Sequence, residues 1–168
     1  MDLFEAIETR TSAGRLTEPG PTQEQLQRIL HAGARAPDHG RLAPWRIVVL
    51  EGSTREAFTA AAAEAKRGRL PTMTEEQLAG ERQKISRSPC LLVVGCAVNR
   101  QQSKVPEIEQ VAATSAAAQN MFLAAHDLGY GVMWKTGAAA YDTRVKATVG
   151  LGPADHIVAI LHLGTRLK

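Results

Sequence analysis

Two stretches, CLLVVGCAV at 90–98 and HIVAILHLG at 156–164, limit what this chain can build. Both are nearly unbroken apolar runs, and neither approaches the roughly 18 residues needed to cross a bilayer. A short run of this kind reads as a strand buried on both faces, because a strand with one wet face alternates polar and apolar residues. A sheet containing such strands must be covered on both sides, so helices have to flank it. Helical and extended patterns do alternate along the chain, without repeats, low-complexity tracts or a linker. The expectation is one domain over residues 1–168, α/β or α+β, with a central sheet between helices.

The remaining elements follow from local signals. Asp2 can cap a first helix with Leu3, Phe4 and Ile7 as its apolar stripe, ending near Arg10. Thr22 with Gln25 forms a capping box for a second helix, with Leu26, Ile29 and Leu30 inward and Gly33 near its end. RIVVL at 46–50 reads as a strand. Ser53 with Glu56 predicts another capping box, opening an alanine-rich helix to about Lys66. A polar helix from about Glu75 to Ser86 has few apolar positions, so it reads as a surface lid. The longest helix runs from Pro106 to Leu128 and is ended by Gly129, with Ile108, Val111, Ala112, Ser115, Ala118, Met121, Phe122, Ala125 and Leu128 at helical spacing. Its middle is rich in small residues, which suits a core helix or close pairing with a second copy across a two-fold axis. YGVMW (130–134) is a further strand, KTGAAAYDTR a loop ending in an Asp142 cap, and a short helix follows to about Val149.

Between the second helix and its following strand lies ARAPDHGRLAPWR (34–46). Pro37 and Pro44 fix φ, remove donors and push the residues before them toward extended backbone. Ala36 should therefore end the helix, and Ala43 should be extended. Arg35, Asp38, His39 and Arg41 then sit on a stiffened loop, a place to grip an anion.

Composition excludes several classes. The acidic, amphipathic MDLFEAIETR is not a signal peptide, so a cytoplasmic protein without membrane association is expected. Net charge is +3, but the basic residues are interspersed with 17 acidic ones and aromatics are only 4%, which speaks against a nucleic-acid partner. Cys90 and Cys96 on one strand stand about 20 Å apart, too far to bridge, and their spacing is not that of a zinc site. His156 and His162 share a strand face but are too far apart to chelate together, so no metal is expected. No G-x-G-x-x-G, Walker A, H-E-x-x-H or G-x-S-x-G motif occurs.

Several segments in order resemble the nitroreductase family of flavoproteins, specifically its short YdjA-type subgroup. They are Arg10-Thr11-Ser12, PTQEQLQRILHAGARAPDH, Pro44-Trp45, Lys104-Val105-Pro106, GVMWKTGA and the terminal LHLGT. The resemblance runs nearly end to end. It implies an α+β fold with a central, mostly antiparallel sheet, and an intertwined homodimer with two FMN sites at the subunit interface. By this likeness Arg10, Thr11 and Ser12 hold the FMN phosphate and ribityl chain, which suits the bidentate, charge-assisted bonding of guanidinium to phosphate. Arg166 resembles the family's C-terminal phosphate-binding base. Arg35 and His39 match positions that reach FMN from the partner subunit. Trp134, Lys135 and Thr136 match the segment along the isoalloxazine ring. Ala124, Ala125, His126, Asp127, Leu128 and Gly129 fall where a nicotinamide contact is implied, although a helix's carboxyl end repels phosphates. Two departures stand out: Gly14 where larger relatives carry lysine, and Arg41 and Ala43 where many have asparagine and glutamine.

The activity so implied is hydride transfer from NADH or NADPH through FMN to an electron-poor acceptor such as a nitroaromatic or quinone. No side chain stands out as catalytic acid or base; the flavin N5 carries the chemistry. Reductive dehalogenation or enone reduction on the same fold, or FMN binding without turnover, are the alternatives.

Overall fold

Strand β5 (His156–Arg166) is the spine of a five-stranded sheet in a computed structural model that describes residues 1–101 and 104–167. On one edge it pairs with β3 (Cys90–Cys96), which in turn pairs with β2 (Trp45–Val49). On its other edge β4 (Gly131–Lys135) pairs with residues 160–164, and at its carboxyl end Arg166 and Thr165 pair with the two-residue β1 (Leu16–Thr17). Every one of these strand pairings is antiparallel. The expected α+β, mostly antiparallel sheet flanked by helices is therefore what forms.

The two apolar runs explain the layering. Leu92 and Val94 of β3 and Leu161 and Leu163 of β5 face α2 (Gln23–Ala34) and α5 (Glu107–Asp127), packing on Ile29, Met121 and Ala125. Leu91 and Val93 of β3 face the other way, toward Phe58 and Ala62 of α3 (Gly52–Arg69) and Val145 of α7 (Thr143–Thr148). Each fully buried side chain of this size contributes about 1.5–3 kcal/mol. Register slips once: Val94 lies opposite Ala159 but Gly95 opposite Ile157, leaving Val158 as an extra residue in β5. The Trp134 indole N–H donates to the Val158 carbonyl at 3.2 Å, supplying a partner where the ladder is irregular.

Local expectations fared unevenly. Asp2 accepts from Glu5 N–H and caps α1 (Leu3–Thr9), and the Thr22–Gln25 capping box forms. A further box, with no counterpart among those expected, joins Thr74 with Gln77 at the start of α4 (Glu75–Ser86). The box expected at Ser53 does not form; α3 begins after Glu51 with no side-chain cap. The stretch after β4 is not a loop but contains the short α6 (Gly137–Tyr141), after which Asp142 caps α7 as expected. Gly33 is the penultimate residue of α2, near its end as expected. A Cβ there would come within 2.6 Å of Met121 Cγ, and having none lets α2 lie close on α5.

Two apolar stripes are also misplaced. Leu3, Phe4 and Ile7 of α1 are exposed, and Ala6 is the residue that α1 buries. In α5 the amino-terminal half buries Gln110 and Thr114 while Ile108 is exposed. Ala43 is not extended: its φ is 46°, and Arg41 has φ 54°. The Asp38 carboxylate accepts the Ala43 N–H at 2.6 Å and fixes the turn, outweighing the proline's preference for extended backbone. Each of these left-handed residues costs of order 1–3 kcal/mol.

Candidate active site

After α1 the chain turns back along the sheet. Ser12 makes an isolated parallel bridge to Val132 of β4, and Ala13 N–H donates to the Val132 carbonyl at 2.9 Å. This approach is possible because residue 131 is glycine: a Cβ there would stand 2.7 Å from Leu16 Cδ2 and 2.9 Å from Ala13 Cβ. Strand β5 ends beside the same segment. Arg166 Nη1 donates to the Thr11 hydroxyl at 2.9 Å, and Nη2 to the Thr11 carbonyl at 3.0 Å. The neighbouring Arg10 guanidinium stacks 5.0 Å from the centre of the Phe122 ring. Among the described residues neither Arg10 nor Arg166 has a carboxylate partner. Two guanidinium groups and the exposed Thr11 and Ser12 thus share one edge of the fold.

The segment Trp134–Thr136 runs on from this edge at the end of β4. Trp134 is half-buried and turned toward β5 by its bond to Val158, whereas Lys135 and Thr136 reach a cavity of about 440 Å³. Burial first, and the charge of Arg87 second, hold the Lys135 ammonium below its ordinary range. Beneath it lies His162, 4% exposed, its Nδ1 hydrogen-bonded to the Ser88 hydroxyl. Burial, reinforced by Lys135 and Arg55, pushes the His162 pKa down to about 3, so the ring is neutral. Arg55 fixes the turn that carries Ser88 by donating to the carbonyls of Ser86 and Pro89, at 2.7 and 3.3 Å. Ser88, Arg87 and Lys84 carry no signal in the sequence, and His162 drew notice there only as a metal ligand that its spacing rejects. Only the fold brings the end of α4 against β4 and β5.

Arg35 and His39 lie elsewhere. Arg35 caps the carboxyl end of α2, and His39 opens a single 3₁₀ turn (His39–Arg41) that rests on α5, where its Nδ1 pairs with the Glu109 carboxylate. Glu109 and Phe122, which mark the positions of His39 and Arg10 along α5, are about 20 Å apart along the helix axis. One chain therefore does not bring the two predicted groups together. The segment Ala124–Gly129 is largely occupied: Ala125 is fully buried, His126 Nε2 is 2.9 Å from the Thr9 hydroxyl, and Asp127 pairs with the Met1 amine at 2.9 Å. Both cysteines are inert by environment, with burial pushing the Cys90 thiol up to about 11 and Cys96 upward as well.

An antiparallel sheet with covering helices thus carries Arg10 and Arg166 beside Thr11 at one edge and Lys135 on the β4 turn, next to a cleft with an apolar floor. The Nitroreductase family model matches residues 7–165, and the chain belongs to that family, a family of oxidoreductase enzymes. It is 36% identical over 165 residues to "Putative NAD(P)H nitroreductase YdjA" of Escherichia coli (strain K12), covering 98% of this chain and 88% of that protein. It is 31% identical to a "Putative NAD(P)H nitroreductase" of Haemophilus influenzae, over 100% of this chain and 90% of the other. Among solved structures, a nitroreductase-like family protein from Bacillus cereus superposes with a TM-score of 0.81 at 27% identity, over 100% of this chain and 87% of that one. A "putative nitroreductase in complex with FMN" from Desulfovibrio desulfuricans shares the fold, with a TM-score of 0.73 at 22% identity over 98% of this chain and 86% of its own.

Proposed function

We propose that this protein is an FMN-dependent oxidoreductase that passes a hydride from NADH or NADPH to an electron-poor acceptor such as a nitroaromatic or a quinone. The observation that carries this reading is the meeting of Arg10, Thr11 and Arg166 at one edge, with two guanidinium groups that lack carboxylate partners among the described residues. Such a pair favours a phosphate, which guanidinium binds by parallel charge-assisted hydrogen bonds. The FMN complex of a fold neighbour supports the same cofactor, and the relatives' names support NADH or NADPH as the hydride donor.

When bound, FMN would supply the hydride chemistry, and the chain's own residues have other tasks. Arg10 and Arg166 would anchor the phosphate, with the Thr11 and Ser12 hydroxyls beside them. Thr11 is itself positioned by Arg166. Lys135 is the cation that the β4 turn offers to negative charge developing on a bound ring. Trp134, fixed through Val158, holds that turn in place.

The distance between His39 and Arg10 supports a site made from two chains, each giving one half. Exposed apolar groups on α1 (Leu3, Phe4, Ile7) and Ile108 on α5 are surface that a second copy would cover, as in an intertwined homodimer. An anaerobic titration tests the reading. Purified protein should carry a flavin visible spectrum that bleaches on addition of NADPH or NADH and returns when a nitroaromatic or quinone is supplied. Protein that stays colourless with excess FMN overturns it.

A further inference from the structure

The cavity between α3, α4 and the β4–α6 corner has a composition that the flavin site does not require. Its volume, about 440 Å³, is that of a small-molecule pocket. The floor is apolar, made by Phe58, Ala62 and Ile160. Around it stand four cations, Lys66, Arg69, Lys84 and Lys135, and one carboxylate, Glu81. Glu81 is shared between Lys66 at 2.6 Å and Lys84 at 3.7 Å. Arg69 rests on the Tyr141 ring, 5.7 Å from its centre, and among the described residues neither it nor Lys135 has an acidic partner. The crowded cations disfavour one another: burial first, then Arg87, lower the Lys135 pKa, and Glu81 offsets part of this while Lys66 and Lys84 add to it. An anion entering here relieves that repulsion while its apolar body covers the floor.

Resting on the oxidoreductase reading above, we infer that this cavity is the acceptor pocket and that it selects flat aromatic acceptors bearing a carboxylate. Lys135 and Thr136 connect it to the segment assigned to the ring. For an aryl nitro acceptor the first step takes two electrons: NAD(P)H is oxidised, the nitro group is reduced to nitroso, a solvent proton is consumed and water leaves.

The test compares 4-nitrobenzoate with its uncharged analogue 4-nitrobenzamide, using flavin-loaded protein and the double variant Arg69→Gln/Lys84→Gln. Both positions are exposed, so folding should survive. The preference for carboxylate over amide, as a ratio of kcat/KM, should fall roughly fivefold or more, because each partly exposed charge pair gives a small but additive gain. Arg69→Lys/Lys84→Arg should restore it. An unchanged ratio, or a loss that appears in the KM for NADPH instead, overturns the proposal. If the wild-type protein turns over neither acceptor, bleaching of the flavin by NADPH and its return with a quinone decide the oxidoreductase reading, and calorimetric titration with 2-naphthoate judges the pocket separately. Saturable binding weakened in the double variant supports it, and no binding by wild type overturns it.

Discussion

Arg166 and Thr11 are joined twice, through the hydroxyl at 2.9 Å and the carbonyl at 3.0 Å, so the last strand and the turn after the first helix behave as one unit. The bond to the carbonyl fixes the guanidinium plane before any ligand arrives. Arg166→Ala should leave a folded protein that binds FMN roughly 10- to 100-fold more weakly, the loss of one charged hydrogen-bonding partner. Arg166→Lys keeps the charge but loses the fork, and should fall between the two. Quenching of flavin fluorescence during titration measures both. Unchanged affinity in the alanine variant would remove this edge from the cofactor site.

The assignment of His39 and Arg10 to one site across two subunits makes a sharper demand. Suppose one subunit carries Arg10→Ala and the other His39→Ala, joined as a heterodimer through separate affinity tags. One site then inherits both defects and the other inherits none. The heterodimer should bind about one FMN per dimer with wild-type affinity, while each homodimeric variant binds weakly. A site built within one chain would give two weakened sites and no intact one, and the stoichiometry decides between them.

Much of the sheet was legible because its information is local. The alternation of Leu91 and Val93 against Leu92 and Val94 places two layers of helix, and Thr22 with Gln25 marks a helix start within four residues. What escaped depends on contacts distant in sequence. Leu16–Thr17 becomes a strand only because the carboxyl end of β5 reaches it. Ala43 takes a left-handed φ because Asp38 reaches its amide. The apolar face of α1 and the exposed Ile108 break the inside-out rule, as residues would whose natural cover is another chain. The candidate site was legible only through family resemblance. Spacing alone gave no reason to join residues 10–12 with Arg166, nor to set Ser88 against His162.

Glycine 95 sits where β3 meets the irregularity in β5, and a Cβ there would lie 2.5 Å from Leu151 Cδ1. Leu151 is 5% exposed and cannot swing into solvent without opening its cluster. Gly95→Ala should therefore cost about 1–3 kcal/mol, which lowers Tm by several degrees in a protein of this size. If the clash is the cause, Gly95→Ala should cost less in a Leu151→Ala background than in the wild-type protein, even though Leu151→Ala is itself destabilising. Thermal unfolding of the four proteins checks it, and an unshifted Tm for Gly95→Ala alone would show that the strand has room to spare.

His162 gives a pH dependence of known sign. Folded, its ring stays neutral down to about 3 because burial opposes the charge; unfolded, it titrates near 6.5. Above that range neither state binds the proton and the contribution is flat. As pH falls from 6.5 toward 3 the unfolded chain takes the proton and the folded one does not, so stability is lost on acidification, by up to about 1.4 kcal/mol per pH unit. His162→Gln removes this titration while leaving a polar group near Ser88. The variant should be the less stable protein at pH 7, and its deficit should shrink at pH 5 and again at pH 4. Carboxylates titrating in the same range are common to both proteins and cancel in the difference. Urea melts at each pH measure the two curves; if they run parallel, the imidazole takes up its proton as readily inside the fold as outside it.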